Sequence, residues 1–189
     1  MLNIVIFGPP GAGKGTQSDK IIAKYNLFHV STGELFRKHI KEETPIGKKV
    51  MEYTNNGILV PDEITIAMLK GVLDENKNVK GFIFDGFPRT VTQAEMLDKF
   101  MAEQNTAISA VVALDVSETE VRERLAKRRE IEGRSDDEEE KINKRIFEYY
   151  NKTIRVLPYY HSKGKLHKID GVGDIERIFT DICTAIDKS

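Results

Sequence analysis

Leu2-Asn3-Ile4-Val5-Ile6-Phe7-Gly8-Pro9-Pro10-Gly11-Ala12-Gly13-Lys14-Gly15-Thr16 reads as a strand, a glycine-rich turn, a lysine and the start of a helix. Glycines let the backbone turn in ways barred to other residues and come close to a ligand. Successive N–H groups then face inward as an anion-sized nest. The following helix adds its positive end and its unpaired donors. Lys14 contributes a full charge on a flexible stem. In this setting G-x-x-x-x-G-K is a phosphate-binding loop, and the plain alternative, a βα turn that binds nothing, has both motif and flanks against it. The general pattern puts Ser or Thr directly after the lysine to ligate Mg²⁺. Here Gly15 takes that place and the hydroxyl moves to Thr16, which weighs against direct metal ligation.

Outward from the loop, residues 14–25 carry Ile21, Ile22 and Tyr25 at helical spacing, and 26–30 read as a turn and a short strand. His29, beside apolar neighbours, reads as structural. Ser31 and Glu34 have capping-box spacing, and Thr44-Pro45 pairs a cap with proline at the first helical position. Asn55-Asn56-Gly57 stops that helix, and Pro61-Asp62-Glu63 opens another to about Asn76. Residues 31–60 are therefore two short helices inserted between βα units. Gly81-Phe82-Ile83-Phe84-Asp85 is a buried strand, 90–104 a helix, and 108–115 another apolar strand. A charged helix follows from Glu118 to about Arg129, broken by Gly133. Ser135-Asp136-Asp137-Glu138 is expected to cap one long helix reaching about Tyr160, before a last strand at 165–169 and a last helix at 174–187. Unalternating apolar strands imply burial on both faces, hence a parallel sheet. Their alternation with helices gives an α/β fold with a five-stranded parallel sheet flanked by helices.

The chain has 189 residues, enough for one core with small excursions. Lys+Arg number 29 against 30 Asp+Glu, so no overall charge draws it to nucleic acid or a membrane surface. Cys183 is the sole cysteine, so it forms no internal disulfide and no cysteine-based zinc site; its neighbours place it in a helix core. The N-terminal apolar run is too short for a signal segment, no stretch reaches transmembrane length, and Asn151-Lys152-Thr153 reads as a chance glycosylation match. The expectation is a cytoplasmic protein.

Three further clusters carry chemistry. Asp85-Gly86-Phe87-Pro88-Arg89-Thr90 lies at the C-terminal end of a buried strand, where open parallel sheets bind ligands. Asp85 can hold Mg²⁺, directly or through water, and Arg89 can fork onto a phosphate. Arg124, Arg128, Arg129, Arg134 and Arg145 crowd a short segment around Gly133. Surface pairing such as Glu120–Arg124, with 136–140 solvating a helix start, accounts for some of them. Arginines closing over a polyphosphate would neutralise charge and exclude water. Within 31–60, Thr32, Arg37 and Gly57-Ile58-Leu59-Val60 offer a hydroxyl, a guanidinium and an apolar backbone run. No Ser/His/Asp, Cys/His or HExxH arrangement stands out.

GPPGAGKGTQ at 8–17, STGELFR at 31–37, DGFPRT at 85–90, GRSDD at 133–137, YYNKT at 149–153 and the DG pair at 170–171 resemble the adenylate kinase family, in order and over essentially the whole chain. The resemblance implies a P-loop NTPase-type fold, Mg²⁺-dependent exchange between ATP and AMP giving two ADP, and a monomer. It implies a core at 1–30, 61–126 and 138–189, an AMP-binding helical insertion at 31–60 and a short lid at 127–137, without the zinc site of longer relatives. By the same resemblance Gly11, Ala12, Gly13, Lys14, Gly15 and Thr16 wrap the ATP phosphates, joined by Arg124, Arg128 and the backbone of Gly173. Thr32, Arg37, Ile58, Leu59, Val60, Gly86, Phe87, Pro88, Arg89 and Gln93 receive AMP, the Gln93 amide reading the adenine edge. Arg134 and Arg145 bridge the phosphates. Lys14, Arg89, Arg124, Arg128, Arg134 and Arg145 form the catalytic set, with Asp85 on Mg²⁺ through water. Related UMP/CMP kinases tend to carry alanine where Thr32 stands and asparagine where Thr90 stands, which favours AMP here. A P-loop switch is the rival from another class, and the N-K-x-D motif of guanine-reading switches is absent: Asn76-Lys77, Asn143-Lys144 and Asn151-Lys152 all lack the aspartate.

Overall fold

A computed structural model describes residues 1–133 and 137–189. Among the described residues five parallel strands form one sheet: β1 (Leu2–Phe7), β2 (Phe28–Ser31), β3 (Gly81–Asp85), β4 (Ala110–Asp115) and β5 (Leu166–Asp170). Their order is β2-β3-β1-β4-β5, with Ile4 paired to Ile83 on one side and to Ala110 on the other. Side chains alternate across a strand. Ile4 and Ile6 therefore join one core with Ile21, Val112 and Ile182, while Val5 and Phe7 join a second with Phe84, Leu97 and Tyr160. Both faces are covered, so β1, β3 and β4 have no polar side, as their apolar runs require. The edge strand β5 is part-exposed.

The helices are α1 (Lys14–Tyr25), α2 (Thr32–Lys41), α3 (Pro45–Asn55), α4 (Asp62–Glu75), α5 (Val91–Glu103), α6 (Glu118–Glu132), α7 (Glu139–Asn151), α8 (Val156–Ser162) and α9 (Ile175–Ile186). Ser31 Oγ accepts from the Glu34 N–H, and Thr44 Oγ1 from the Gly47 N–H. Both are caps legible in the sequence. Phe36, Val50, Val60 and Met68 form a third cluster, so α2 and α3 pack with α4 in a small core separate from the two against the sheet. Cys183 is buried. No described helix is long and apolar enough to cross a membrane.

Three boundaries differ from the sequence reading. Strand β4 begins at Ala110 rather than 108, and α6 runs past Arg129 to Glu132, where Gly133 at φ 60° ends it. The long helix expected to reach Tyr160 is broken. It stops at Asn151, a 3-10 turn follows at Thr153–Arg155, and α8 starts at Val156. Pro158 is the cause: with no N–H to bond the carbonyl of Ile154, it is tolerated only in a first turn, so a new helix begins just before it. Of the cap expected for that helix, Ser135 and Asp136 lie outside the described residues; Glu138 stands at the cap position and makes no side-chain cap bond.

One polar residue inside β1 carries weight the apolar pattern conceals. Asn3 is fully buried. Its Nδ2 donates to Thr106 Oγ1 at 3.0 Å and to the Ala107 carbonyl at 2.9 Å, and its Oδ1 accepts from the Phe82 N–H at 3.2 Å. It thus ties β1 to β3 and to the chain leading into β4. Replacing it leaves buried partners unmade, at a cost of about 1–3 kcal/mol apiece. Asn3→Ala is expected to lower unfolding free energy by about 3 kcal/mol in urea denaturation; a midpoint equal to that of the parent protein would show these bonds to be dispensable.

Candidate functional site

The sheet order sets the site. With β3 on one side of β1 and β4 on the other, the loop after β1 opens at the point where successive connections diverge. Ligands in parallel sheets bind at such points. Gly11 has φ 78°, and a Cβ there would stand 2.8 Å from Leu125 Cγ, so the loop lies directly against α6. Lys14 Nζ donates to the carbonyls of Gly8 at 2.9 Å and Pro9 at 3.0 Å. Burial pushes its pKa down to about 8; Asp85 acts against the shift, and Arg89, Arg145 and Arg128 add to it. The lysine stands among like charges that a phosphate would relieve.

The loop after β3 is fastened by its own carbonyl. The Gly86 oxygen accepts from Thr32 Oγ1 at 2.9 Å and from Arg89 Nε at 2.7 Å. Gly86 has φ +77°, and a Cβ would meet Thr32 Oγ1 at 2.8 Å, so both conformation and space require glycine. Phe87 and Pro88, joined by a cis peptide bond, are buried behind it. Gln93, expected to face a base, is engaged at both ends of its amide. Oε1 accepts from the Arg89 N–H at 2.8 Å, and Nε2 donates to Asp62 Oδ1 at 2.7 Å. The other oxygen of Asp62 accepts from Thr90 Oγ1 at 3.0 Å.

The arginines meet at one carboxylate. Arg128 Nε and Nη2 donate to the two oxygens of Asp137 at 2.6 and 2.5 Å, and Arg145 Nη1 donates to Oδ1 at 2.9 Å. Asp137 is fully buried, which overturns the reading of 136–140 as a solvated helix start for this residue. Arg124 does pair with Glu120, at 2.7 Å, but also donates to the carbonyls of Ala12 at 3.3 Å and Gly171 at 3.0 Å, bridging the phosphate loop to the turn after β5. Gly173, at φ 106°, lies in that turn. Arg134 lies outside the described residues.

A cavity of about 330 Å³ gathers the parts. Lys14, Thr32, Arg37, Ile58, Leu59, Val60, Gly86, Phe87, Pro88, Arg89, Gln93 and Arg145 all line it. Gly11, Ala12, Gly13, Gly15, Thr16, Arg124, Arg128 and Gly173 do not line it; Arg124 donates to the Ala12 carbonyl, and Arg128 and Asp85 lie within electrostatic reach of Lys14. Sequence reasoning missed Asp62 and Asp137, and it missed Glu148, a wall residue paired to Lys152 at 2.9 Å. Asp62 is visible in the sequence only as a helix opener, and Asp137 only as part of GRSDD and of a solvated helix cap. No group of three or more His, Cys, Asp or Glu suited to a metal occurs among the described residues. One carboxylate, Asp85, and an exposed Thr16 make a sparse donor set, which fits a cation held mainly by phosphate oxygens.

A phosphate loop on the central strand of a parallel sheet, met by arginines from three other elements, places the protein among P-loop phosphotransferases. Comparison with known proteins narrows this. A family model described as adenylate kinase matches residues 6–165. Relatives named adenylate kinase include one from Bacteroides thetaiotaomicron, 48% identical over 188 residues and the whole of both chains. One from Bacteroides fragilis is 49% identical over 187 residues, 99% of each, and one from Flavobacterium psychrophilum is 47% identical over 179 residues, 94% of each. The chain belongs to the adenylate kinase family.

Asp137→Asn keeps the shape at the arginine junction and removes the charge. Two guanidiniums are then left beside a neutral amide, and the nucleotide-free protein is expected to lose about 3 kcal/mol of stability. Thermal unfolding without nucleotide checks this; an unchanged melting temperature would mean that solvent already neutralises the pair.

Proposed function

We propose that the protein catalyses reversible Mg²⁺-dependent transfer of the terminal phosphoryl group of ATP to AMP, giving two ADP, and so balances the adenine nucleotide pool. One observation carries the reading: Lys14 of the phosphate loop lines the same cavity as the Thr32, Gly86 and Arg89 cradle. A donor phosphate and an acceptor phosphate held by these two groups would face each other. In-line transfer needs positioning and charge neutralisation, and the acceptor phosphate oxygen is itself the nucleophile.

Gly11 to Thr16 cradle the ATP phosphates with their backbone N–H groups. Lys14 exchanges its carbonyl partners for the transferring phosphoryl group. Arg37 and Arg89 hold the AMP phosphate in line, and Arg124, Arg128, Arg134 and Arg145 offset charge on the transferred group. Ile58 to Val60, Phe87, Pro88 and Gln93 enclose the acceptor nucleoside, while Gly173 meets the donor base through its backbone. Asp85 would hold Mg²⁺ through water, and the ion would supply charge neutralisation at the phosphates. Residues 31–60 act as an acceptor-binding insertion and 127–137 as a short lid, on a monomeric cytoplasmic protein. UMP/CMP kinase is the nearer alternative, and Thr32 and Thr90 argue against it; the P-loop switch is further off.

Product formation from Mg·ATP with AMP, UMP, CMP or GMP, beside a tube with no acceptor, tests the reading. ADP should form rapidly with AMP and barely without it. Preference for UMP or CMP would overturn the base assignment, and equal slow hydrolysis in every tube would overturn the kinase.

Lys14→Met and Arg89→Ala are each expected to cut turnover by about 10²-fold or more, as loss of a preorganised charge does. The Lys14 variant separates catalysis from folding. Its folded pKa is depressed from 10.5 to about 8. Between these values the unfolded chain binds more protons, so the group opposes folding in full below about pH 8, and the opposition fades as pH rises toward 10.5. Lys14→Met should therefore be at least as stable as the parent protein at pH 7 while nearly inactive. A variant that loses activity because it unfolds would remove the assignment.

A further inference from the structure

An amide side chain presents a donor at one end and an acceptor at the other, and turning it over exchanges them. For Gln93 that exchange would matter, because the two purine classes differ by the same inversion. On the edge carrying position 6, adenine offers a donor (N6–H) beside an acceptor (N1). Hypoxanthine and guanine offer an acceptor (O6) beside a donor (N1–H).

We propose that Asp62 is a positioning residue that fixes the Gln93 amide one way round, so that the acceptor site takes a 6-amino purine and rejects a 6-oxo purine. The inference rests on the AMP-acceptor reading above and deepens it. Gln93 lines the cavity and is 2% exposed. Its two flanking partners each work in one direction only. The Arg89 backbone N–H can only donate, and it meets Oε1; the Asp62 carboxylate can only accept, and it meets Nε2. Turning the amide over would set N–H against N–H at one end and oxygen against oxygen at the other. What remains for a base is one N–H and one lone pair in fixed order, the complement of adenine.

Asp62 is itself held. Its second oxygen accepts from Thr90 Oγ1, and that hydroxyl accepts from the Gln93 N–H at 3.1 Å, closing a ring of three residues. Both carboxylate oxygens are used as acceptors. Asparagine at 62 can still accept from Gln93 Nε2, because the Thr90 hydroxyl can turn and accept from the asparagine N–H through its second lone pair. Alanine removes the acceptor altogether, and the amide is no longer set from that side.

The test compares kcat/KM with Mg·ATP for three acceptors: AMP, IMP, and purine riboside 5′-monophosphate, which keeps the N1 acceptor and has no group at position 6. With the amide fixed, the parent protein should rank AMP first, purine riboside monophosphate second and IMP last, with IMP lower than AMP by about 10²-fold or more. In Asp62→Ala the AMP:IMP ratio should shrink by about tenfold or more, with IMP rising relative to purine riboside monophosphate and KM for ATP unchanged, whereas Asp62→Asn, which keeps an acceptor for Gln93 Nε2, should retain the parent ranking. Proportional loss for AMP and IMP would overturn the proposal, leaving Asp62 as an anchor of the fold. IMP ranking above purine riboside monophosphate in the parent protein would overturn it without any variant, since the amide would then be turning over. AMP phosphorylation with the wrong ranking sinks Asp62 alone, whereas no AMP-dependent ADP formation sinks the kinase reading and this proposal together.

Discussion

Everything around the cavity answers to one electrostatic constraint: Lys14 is buried within electrostatic reach of three arginines, Arg89, Arg128 and Arg145. The protein relieves this with partners of its own. Asp137 takes two of the arginines, Gly8 and Pro9 lend carbonyl oxygens to the lysine, and the Gly86 carbonyl takes Arg89. These are local neutralisers built from the elements that carry the cations. Carbonyl oxygens are weaker partners than phosphate, so the lysine and Arg89 can be drawn away. The buried carboxylate keeps the arginine pair preorganised before any ligand arrives.

The parallel sheet makes that crowding possible. Strands β1 and β3 are neighbours in register, Ile6 pairing with Asp85, so the loops that follow them emerge side by side. The Gly86 carbonyl then joins two parts of the chain distant in sequence: the start of α2 through Thr32, and the loop after β3 that carries both Gly86 and Arg89. Residues 31–60 share an apolar cluster with Met68 of α4 and reach this point through a hydroxyl at one end. At the other end Asp62 joins Thr90 and Gln93.

Much of this was legible because it is local. Uninterrupted apolar runs gave β1, β3 and β4, and Ser31 and Thr44 announced their helices. The glycine spacing around Lys14 is a backbone requirement that the sequence must display. What stayed hidden is long-range. Asp62 and Asp137 both sit near helix starts, where an acidic residue satisfies local rules whether or not it has a distant partner. Nothing in the sequence distinguishes a solvated carboxylate from one buried under two arginines. Asn3 was hidden for the opposite reason, as a single polar residue inside an apolar run whose partners lie about a hundred residues away. The break before α8 was readable in Pro158, but helical spacing on both sides of it outweighed the missing N–H.

The two hidden acidic residues do opposite work with the same group. At 137 the charge matters: two cations converge on it, and its hydrogen bonds follow from neutralisation. At 62 the direction matters: the carboxylate faces a hydroxyl and an amide, both neutral, and its value lies in accepting from the amide. Binding strength for phosphates follows from the first kind of contact, since charge attracts any polyphosphate alike. Discrimination among nucleosides cannot come from it. It has to come from groups whose donor and acceptor order is fixed, and in this cavity the Gln93 amide, held between the Arg89 N–H and Asp62, is such a group.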